Sequence, residues 1–571
     1  MKPTEEQAHA IACATSGGSL ALEALAGSGK SSTLKMIAAA MPSRRMLYTA
    51  FSAQVVKDAK SAFPRNVRVQ TNHGLAYASV GAAYKHRMER RLTPWVVAEG
   101  LGMTQASYPG RMKPEDVAQL ALEAVLRYQQ SADLELTKQH VRVPGGITQD
   151  REEVAAIVLQ TARKLWNDLA DPAGKLPITH DTYLKLWALS CPKLNFDAIM
   201  LDEAQDANPV ITDVLTRQQT QLIVVGDRYQ QIYSWRGAVN AMSAFPIKER
   251  AWLTQSFRFG NTVAQAANAV LTGHLDAQVR VRGNPAISDS IAAFDQAQGQ
   301  YALVARKNAT LIGEVFNQAG RRVAVVGGVT DLIKLVEGVE KLQRGELAIA
   351  CPDLADFKDW GEVKSYAGTE AGRHLAVLVR LVEYYGTWRL TQALRSVEGN
   401  ERDEASCHVI LSTAHRSKGR EWDRVILADD YPEPDDEEET REPSESRSKW
   451  NPEEANLLYV AATRAKAVLD VEQVGAWRHA VRAAHEAGHR FPGLSDDPRF
   501  APQGGPARDG DPDGHPVAPP KELSVKQCIV AELYLAALGV RPASQETLAA
   551  IQAAFGKLGY DSPESLRLLL E

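Results

Sequence analysis

The sequence predicts an α/β fold with two parallel-sheet domains, helical insertions and a small helical segment near the C-terminal end. Short apolar runs recur along the chain, and each is followed by turn residues and then by a helical pattern. Strands that alternate with helices in this way form parallel sheets. The runs fall into two groups that are too far apart for one sheet, and 571 residues exceed what one hydrophobic core accommodates.

The strand predictions come from the apolar runs themselves. The first group is LALEALAG, RRMLYTAF, NFDAIMLDE and QLIVVGD, and the second is YALVAR, RRVAVVGG and CHVILST. We therefore assign residues 1–74 and 191–255 to one sheet domain, and residues 256–330 and 405–490 to another. The helical patterns between these parts predict an insertion over residues 75–190 and a smaller one over residues 331–404.

The C-terminal part changes composition twice. Residues 491–522 are rich in Pro, Gly and Asp, which predicts a disordered linker. Residues 523–571 return to a helical pattern, with Ser524 and Ser544 placed to cap helices. This segment is either a docking module for a protein partner or a helical tail that binds none.

Bulk composition excludes several classes of protein. No apolar run approaches the roughly 20 residues of a membrane helix, and MKPTEEQAHA is not an apolar signal segment. The five separated cysteines indicate a reducing compartment, so we expect a cytoplasmic protein without a membrane partner. The net charge is −5, but residues 429–442 alone hold nine carboxylates and one arginine. We interpret that run as a solvated, flexible loop.

Residues 24–32, ALAGSGKSS, form a glycine-rich turn between a predicted strand and a predicted helix. Such a turn directs backbone N–H groups at phosphate oxygens, while a lysine adds positive charge and a serine hydroxyl can bind Mg²⁺. The strict phosphate-loop pattern has glycine where Ala24 stands, but the turn itself is intact. The residues predicted to hold the phosphates are Ala26, Gly27, Ser28, Gly29, Lys30, Ser31 and Ser32.

Residues 196–206, FDAIMLDEAQD, are an apolar strand that ends in two adjacent acids. After a phosphate loop, this pattern indicates a P-loop nucleotide hydrolase. Asp202 would hold Mg²⁺ through water, beside the Ser31 hydroxyl, and Glu203 would orient or deprotonate the attacking water. The sequence has no N-K-x-D segment for guanine, so ATP is the expected nucleotide.

Further segments, in the same order, resemble the UvrD/Rep branch of superfamily 1 DNA helicases. They are TEEQ, ALAGSGKSS, YTAFSAQVVKDAK, TNHGLAY, MLDEAQD, GDRYQQIYSWRGA, LTQSFR, TAHRSKGREWDRV and EEANLLYVAATRAK. The small second insertion is most similar to that of the F-box DNA helicase and phage-type members. The resemblance implies two RecA-like domains with ATP bound between them, and 3′→5′ movement on single-stranded DNA and at single-strand/double-strand junctions.

The resemblance also assigns roles at the nucleotide. Gln7 would contact the adenine edge, Phe257 would stack on adenine, and Glu421 would contact the ribose. The residues implied to act at the γ-phosphate are Gln230 and the two arginine fingers, Arg258 and Arg464. Both arginines are expected to come from the second sheet domain, and such a finger raises the hydrolysis rate roughly 10³–10⁵-fold.

The implied DNA contacts are Phe51, Thr71, His73, Tyr233, Trp235, Arg236, Thr413 and His415. Hydroxyl and imidazole groups suit phosphate contacts, and aromatic rings stack on bases without regard to sequence. Other interpretations stay open from the residues alone. The histidines, Phe51 and Tyr233 could be core residues, and Arg236 could belong to a structural ion pair.

Two other functions are compatible with these motifs. The chain could be the DNA-stimulated motor or sensor subunit of a nuclease or anti-phage defence complex, with residues 523–571 as its docking module. It could also be a non-catalytic DNA-binding protein with a decayed ATP site. The intact Lys30, Glu203, Arg258 and Arg464 argue against decay.

Overall fold

The computed structural model describes residues 2–491 except 52, 105–106, 233–240, 276, 319, 370–371, 373–374 and 434–450. Three predicted DNA contacts, Tyr233, Trp235 and Arg236, therefore lie outside the described residues. The predicted linker after residue 491 and the C-terminal segment 523–571 lie outside them as well.

Two parallel sheets of six strands each form the framework. The first sheet contains β1 (Leu20–Ala24), β2 (Met46–Thr49), β3 (Val67–Val69), β4 (Ala198–Leu201), β5 (Gln221–Gly226) and β6 (Glu249–Leu253), in the order β3-β2-β4-β5-β1-β6. The second contains β7 (Ser290–Ile291), β8 (Tyr301–Ala305), β9 (Val323–Val325), β10 (Val409–Thr413), β11 (Trp422–Leu427) and β12 (Ala465–Asp470), in the order β7-β12-β11-β8-β10-β9. We call the parts built on these sheets the first and second domains. The predicted α/β fold class is confirmed.

The burial of each strand explains which strands could be predicted from the sequence. β1, β2, β4 and β5 are buried at every residue, because helices cover both faces of the first sheet. Such strands have continuous apolar sequences. Several strands that the sequence did not reveal, including β3, β6 and β11, are only partly buried. Their mixed apolar and polar sequences lack that signal.

The helices cover the two sheets and form the connections between strands. In the first half of the chain they are α1 (Glu5–Thr15), α2 (Lys30–Ala40), α3 (Ala53–Lys60), α4 (Asn72–Ser79), α5 (Pro94–Gly100), α6 (Pro114–Gln130), α7 (Arg151–Ala170), α8 (His180–Leu189), α9 (Pro209–Thr216), α10 (Ala241–Ala244) and α11 (Asn261–His274). In the second half they are α12 (Asn308–Asn317), α13 (Thr330–Gln343), α14 (Trp360–Ala367), α15 (Ala376–Ser396), α16 (Ala414–Ser417), α17 (Pro452–Ala462) and α18 (Gly475–Glu486). Within the described part of the chain, no helix has the length and apolar character needed to cross a membrane.

The first residues of the acidic run 429–442 do not form the solvated loop predicted from composition. The two oxygens of the Asp430 carboxylate accept hydrogen bonds from two backbone N–H groups that follow β8, at 2.7 and 2.9 Å. Tyr431 is only 5% exposed. The prediction was wrong here because the run begins directly after β11, where the chain is still packed against its own sheet. Residues 434–442 lie outside the described residues.

The helices between β3 and β4 pack against the segment that follows α13. Ile349 of that segment is 3% exposed and belongs to a cluster otherwise formed by the first group of helices and their turns. The other buried members of the cluster are Met112, Val117, Leu120, Ile147, Val154 and Val158. The Asp356 carboxylate also accepts the N–H of Gly145 at 2.7 Å. The two predicted helical insertions are therefore joined by a buried apolar contact.

We expect Ile349→Ala to weaken this contact, because removing a buried isoleucine side chain costs about 2–5 kcal/mol. Amide hydrogen exchange within α6 and α7 should become faster. Ile333→Ala is the matched control, since Ile333 lies on α13 and packs against a different cluster. Equal exchange in α6 and α7 for both variants would show that Ile349 does not join the insertions.

Candidate nucleotide site and nucleic-acid contacts

The glycine-rich turn joins β1 to α2 at the carboxyl edge of the first sheet. Gly27 and Gly29 have φ angles of 72° and 78°, in the left-handed region that favours glycine. A Cβ atom on Gly27 would lie 2.4 Å from Ser256 Oγ, so a side chain cannot be accommodated there. Ala24 instead ends the extended strand β1. Its position does not need the freedom of glycine, which explains the departure from the strict pattern.

The turn has two features that suit a phosphate group. Helix α2 begins at Lys30, so its N-terminal N–H groups and the positive end of its dipole lie at the turn. The Ser28 hydroxyl is buried and has no hydrogen-bond partner among the described residues. Buried polar atoms are normally paired, and phosphate oxygens would supply the partner. These residues fit the triphosphate of ATP.

The two acids predicted from FDAIMLDEAQD lie beside the turn. Ser31 Oγ donates to Asp202 Oδ2 at 3.2 Å, and Lys30 Nζ lies 3.6 Å from Glu203 Oε1. Hard oxygen ligands of this kind are the ones that Mg²⁺ prefers. The chemistry of Ser31 and Asp202 therefore fits the predicted Mg²⁺, and their role as its ligands stays a prediction.

The two acids have opposite pKa shifts. Burial, and then the charge of Glu203, raise the pKa of Asp202. Burial would also raise the pKa of Glu203, but the charges of Lys30 and Lys418 outweigh it and lower that pKa to about 2. Gln205 Nε2 also donates to Glu203 Oε2 at 2.6 Å. Glu203 is thus an oriented anion at neutral pH, which suits a residue that positions water.

Arg258 lies on the segment that joins β6 to α11 and packs directly on the phosphate loop. The N–H of Phe257 donates to the carbonyl of Gly27 at 2.8 Å, and a Cβ on Gly27 would lie 2.9 Å from Arg258 Cβ. Arg258 Nε donates to Glu421 Oε2 at 2.7 Å. Its Nη1 also donates to the carbonyl of Thr463 at 3.1 Å, so second-domain groups hold this side chain, although its backbone follows β6 of the first sheet. That Arg258 acts from the second domain stays a prediction.

Arg464 follows α17 in the second domain and is 1% exposed. Its Nε donates to the carbonyl of Val460 at 2.7 Å, and its Nη1 donates to that of Arg420 at 3.2 Å. Burial, and then the charge of Arg258, lower the pKa of Arg464 to about 9, so the guanidinium stays charged at neutral pH. Since its partners are neutral, the positive charge is not cancelled within the second domain.

Gln7 and Phe257 flank the same face of the phosphate loop. A Cβ on Gly29 would lie 3.4 Å from the Phe257 ring and 3.5 Å from Gln7 Nε2. The Gln7 side chain is fixed by a capping box with Thr4 and by a 3.2 Å hydrogen bond from Nε2 to Thr33 Oγ1. Phe257 is 45% exposed, so part of its ring is accessible to a base. This arrangement is compatible with the predicted adenine contacts.

Residues 227–232, here called the bridging segment, follow β5 and precede the predicted DNA contacts at 233–236 in the sequence. The hydroxyl of Tyr459, on α17, accepts the N–H of Ala26 at 3.1 Å and donates to Asp227 Oδ2 at 3.3 Å. Gln230 Nε2 donates to the same Asp227 oxygen at 2.7 Å. A second-domain side chain therefore touches both the phosphate loop and the start of the bridging segment.

Other second-domain side chains bind the backbone of the bridging segment. The pairs are Lys418 with the carbonyl of Gln230, Asn456 with the carbonyl of Gln231, and His415 with the backbone of Ile232. Lys418 Nζ also donates to both carboxylate oxygens of Asp206, at 2.8 and 2.6 Å. Both side chains of this ion pair are largely buried, at 10% and 14% exposure.

The described members of the predicted DNA contacts in the first domain are Phe51, Thr71 and His73, and they lie together. Phe51 is 44% exposed, and its ring meets His73 edge-on with centroids 5.6 Å apart. His73 Nε2 lies 3.1 Å from Asp181 Oδ1, which fixes the orientation of the imidazole. The Thr71 hydroxyl accepts the N–H of Gly74 at 2.9 Å and so caps α4. Phe51 is too exposed to be a core residue, whereas Thr71 has a structural role in addition to the predicted one.

The second domain repeats part of this arrangement. Thr413 ends β10, and its hydroxyl accepts the N–H of Arg416 at 3.3 Å, which caps the short helix α16. His415 lies two residues further on, as His73 does after Thr71. Burial, and then the charge of Arg306, lower the pKa of His415 to about 4, so this imidazole is neutral at neutral pH. Its contact with the bridging segment was not predicted.

The sequence analysis missed several residues of the site, chiefly Lys418, Asn456 and Tyr459. All three stand inside segments on which the resemblance rests, TAHRSKGREWDRV and EEANLLYVAATRAK. The available signal was an amide and a tyrosine in the largely apolar helix α17, while Lys418 stands in a polar segment where a lysine is inconspicuous. Their partners in the first domain could not be identified without the fold.

Two parallel-sheet domains with a phosphate loop, an adjacent acid pair and arginines from beyond the first sheet are the features of the two-domain RecA-like class. A family model for the UvrD/REP helicase N-terminal domain matches residues 3–245, and one for the UvrD-like helicase C-terminal domain matches residues 362–473. The chain belongs to the UvrD/Rep-like helicase family, which confirms the resemblance seen in its motifs.

Individual relatives support the same family. F-box DNA helicase 1 of Gallus gallus is 30% identical over 486 residues, which cover 79% of this chain and 47% of the relative. F-box DNA helicase protein 1 of Schizosaccharomyces pombe is 30% identical over 503 residues, which cover 81% of this chain and 56% of the relative. ATP-dependent DNA helicase PcrA of Leuconostoc citreum is 36% identical over 84 residues, 13% of this chain and 11% of the relative. The chain thus spans about half the length of the two F-box helicases.

We expect Lys418→Met to destabilise the contact between the domains, because it leaves Asp206 buried without its partner. Removing one member of a buried ion pair costs roughly 3–5 kcal/mol, and burial already raises the pKa of Asp206. Scanning calorimetry should show a lower unfolding midpoint for this variant. The double variant Lys418→Met/Asp206→Asn should recover part of the loss.

Lys466→Met is the matched control, since Lys466 pairs with the 76% exposed Asp423 at the surface. Its midpoint should stay close to that of the unmodified protein. Equal midpoints for Lys418→Met and Lys466→Met would contradict a stabilising role for the buried pair.

Proposed function

We propose that the protein is an ATP-dependent single-stranded DNA translocase and DNA helicase. One observation supports this proposal above the others. Second-domain side chains hold the bridging segment, which begins beside the phosphate loop and is followed in the sequence by the predicted DNA contacts Tyr233, Trp235 and Arg236. A change at the nucleotide can therefore reach the DNA side through a few residues.

The nucleotide chemistry follows from the positions of the side chains. ATP would supply the transferable phosphoryl group, and Mg²⁺ would neutralise part of its charge. Ser31 and Asp202 would hold the metal, Lys30 would contact the phosphates, and the Glu203 anion would orient water. Gln7, Phe257 and Glu421 would hold the adenosine.

The arginines would link hydrolysis to domain movement. Arg464 is charged and bonded to carbonyl groups of its own domain, which phosphate oxygens can replace at a modest cost. Arg258 is paired with Glu421, which would have to release it. Closure of the cleft would bring both guanidinium groups to the γ-phosphate, and hydrolysis would reopen it.

The DNA side would grip the strand in two places. Phe51, Thr71 and His73 belong to the first domain, and Thr413 and His415 to the second. When the cleft opens and closes, the two groups would change their separation and move along the strand. By analogy with the family, we propose 3′→5′ movement, unwinding at single-strand/double-strand junctions, and a role in DNA repair, recombination or replication.

We expect single-stranded DNA to stimulate ATP hydrolysis strongly, and Lys30→Ala to abolish hydrolysis, because the phosphates lose their main positive contact. The direct assay is strand displacement on duplexes that carry either a 3′ or a 5′ single-stranded tail, with and without ATP. Lys35→Ala is the matched control, since Lys35 lies further along the same helix, α2.

Displacement should require ATP and a 3′ tail, and Lys30→Ala should remove it while Lys35→Ala keeps it. Displacement from the 5′ tail alone would contradict the proposed polarity. ATP hydrolysis that single-stranded DNA does not stimulate and that Lys30→Ala does not abolish would contradict the proposed motor function.

A further inference from the structure

A buried tyrosine contacts the carboxylate that is proposed to hold the metal. Tyr48 lies on β2 and is 0% exposed. Its hydroxyl donates to Asp202 Oδ2 at 2.6 Å. This is the same oxygen that accepts the Ser31 hydroxyl at 3.2 Å. Two hydroxyl groups from different elements thus converge on one oxygen of the acid.

The other atoms of Asp202 are held as well. Its Oδ1 accepts the N–H of Glu203 at 2.9 Å, and its own N–H donates to the carbonyl of Thr49 at 2.9 Å. Tyr48 and Thr49 are neighbours on β2, which pairs in parallel with β4, and β4 ends at Leu201 directly before Asp202. Strand β2 therefore fixes both the backbone and the side chain of this acid.

The Tyr48 ring is itself rigidly placed. It packs against Phe63 with ring centroids 4.6 Å apart, and β2 lies between β3 and β4 in the interior of the sheet. A buried tyrosine needs a partner for its hydroxyl, and a phenylalanine would fill the same space without one. The hydroxyl thus has a use that packing does not explain, and its partner is the metal-holding acid.

We propose that Tyr48 is a positioning residue for Mg²⁺. It fixes the side-chain rotation of Asp202, the acid that would hold the metal together with Ser31. The proposal rests on the proposed ATP-dependent function, because it requires a Mg²⁺–nucleotide complex at the phosphate loop. Partners that orient a metal ligand in this way commonly change metal affinity about 10–100-fold when they are removed.

The test is Tyr48→Phe, which removes only the hydroxyl. Binding of a fluorescent, non-hydrolysable ATP analogue is titrated in the full chain at a series of Mg²⁺ concentrations and also in EDTA. The Mg²⁺ concentration at half-maximal binding should rise about 10–100-fold. Binding in EDTA should be unchanged, because the phosphate loop is intact. Direct Mn²⁺ binding, followed by electron paramagnetic resonance with the analogue present, should weaken by a similar factor.

Tyr301→Phe is the matched control. Tyr301 lies on β8 of the second sheet, is 1% exposed, and donates its hydroxyl to Gln296 Oε1 at 3.0 Å. Tyr301 is buried to nearly the same degree as Tyr48 but lies away from the phosphate loop. Analogue binding by Tyr301→Phe should therefore depend on Mg²⁺ as it does in the unmodified protein.

Three results would overturn the proposal. The first is an unchanged Mg²⁺ requirement in Tyr48→Phe. The second is an equal rise in Tyr301→Phe, which would indicate a general loss of rigidity. The third is an equal loss of binding in EDTA, which would indicate a distorted phosphate loop. A fourth result, distinct from these three, concerns the unmodified protein. If its binding of the analogue did not depend on Mg²⁺, the proposed function itself would be contradicted.

Discussion

The ammonium group of Lys418 lies between the Asp206 carboxylate and the carbonyl of Gln230. A charge in this position is stable only while all three groups remain together, because an unpaired buried charge is costly. Asp206 follows the acid pair of the nucleotide site, and Gln230 belongs to the bridging segment. The relative position of the domains, the acid pair and the bridging segment therefore depends on the same few hydrogen bonds.

Tyr459 adds a second link of the same kind. Its hydroxyl joins Ala26 of the phosphate loop to Asp227, where the bridging segment begins. Burial raises the pKa of Asp227 to about 6, so its carboxylate is sensitive to the charges around it. A phosphate group at the loop would add negative charge near these residues. The nucleotide can thus influence the bridging segment by electrostatics as well as by contact.

The sequence indicated where the phosphate loop and the acid pair lie, but not the contacts between domains. Lys30 and Asp202 could be predicted because each follows a fully buried, apolar strand, where chemistry-bearing residues stand out. Ala24 could not be understood until it was seen to end β1. Lys418 and Tyr459 gave weak signals, because a contact with a partner more than 180 residues away leaves no local pattern. The composition also wrongly predicted a solvated loop at the start of the acidic run. There the Asp430 carboxylate accepts a backbone N–H group that follows β8.

The central claim is that nucleotide state and DNA binding are coupled through the bridging segment. The direct measurement is the dissociation constant for a fluorescent oligo-dT strand with no nucleotide, with a non-hydrolysable ATP analogue and with ADP. Coupled domains predict constants that differ at least five-fold between the ATP-analogue and ADP states, equivalent to about 1 kcal/mol of coupling, and a smaller difference in Asn456→Ala. Equal dissociation constants in all three states would contradict the coupling.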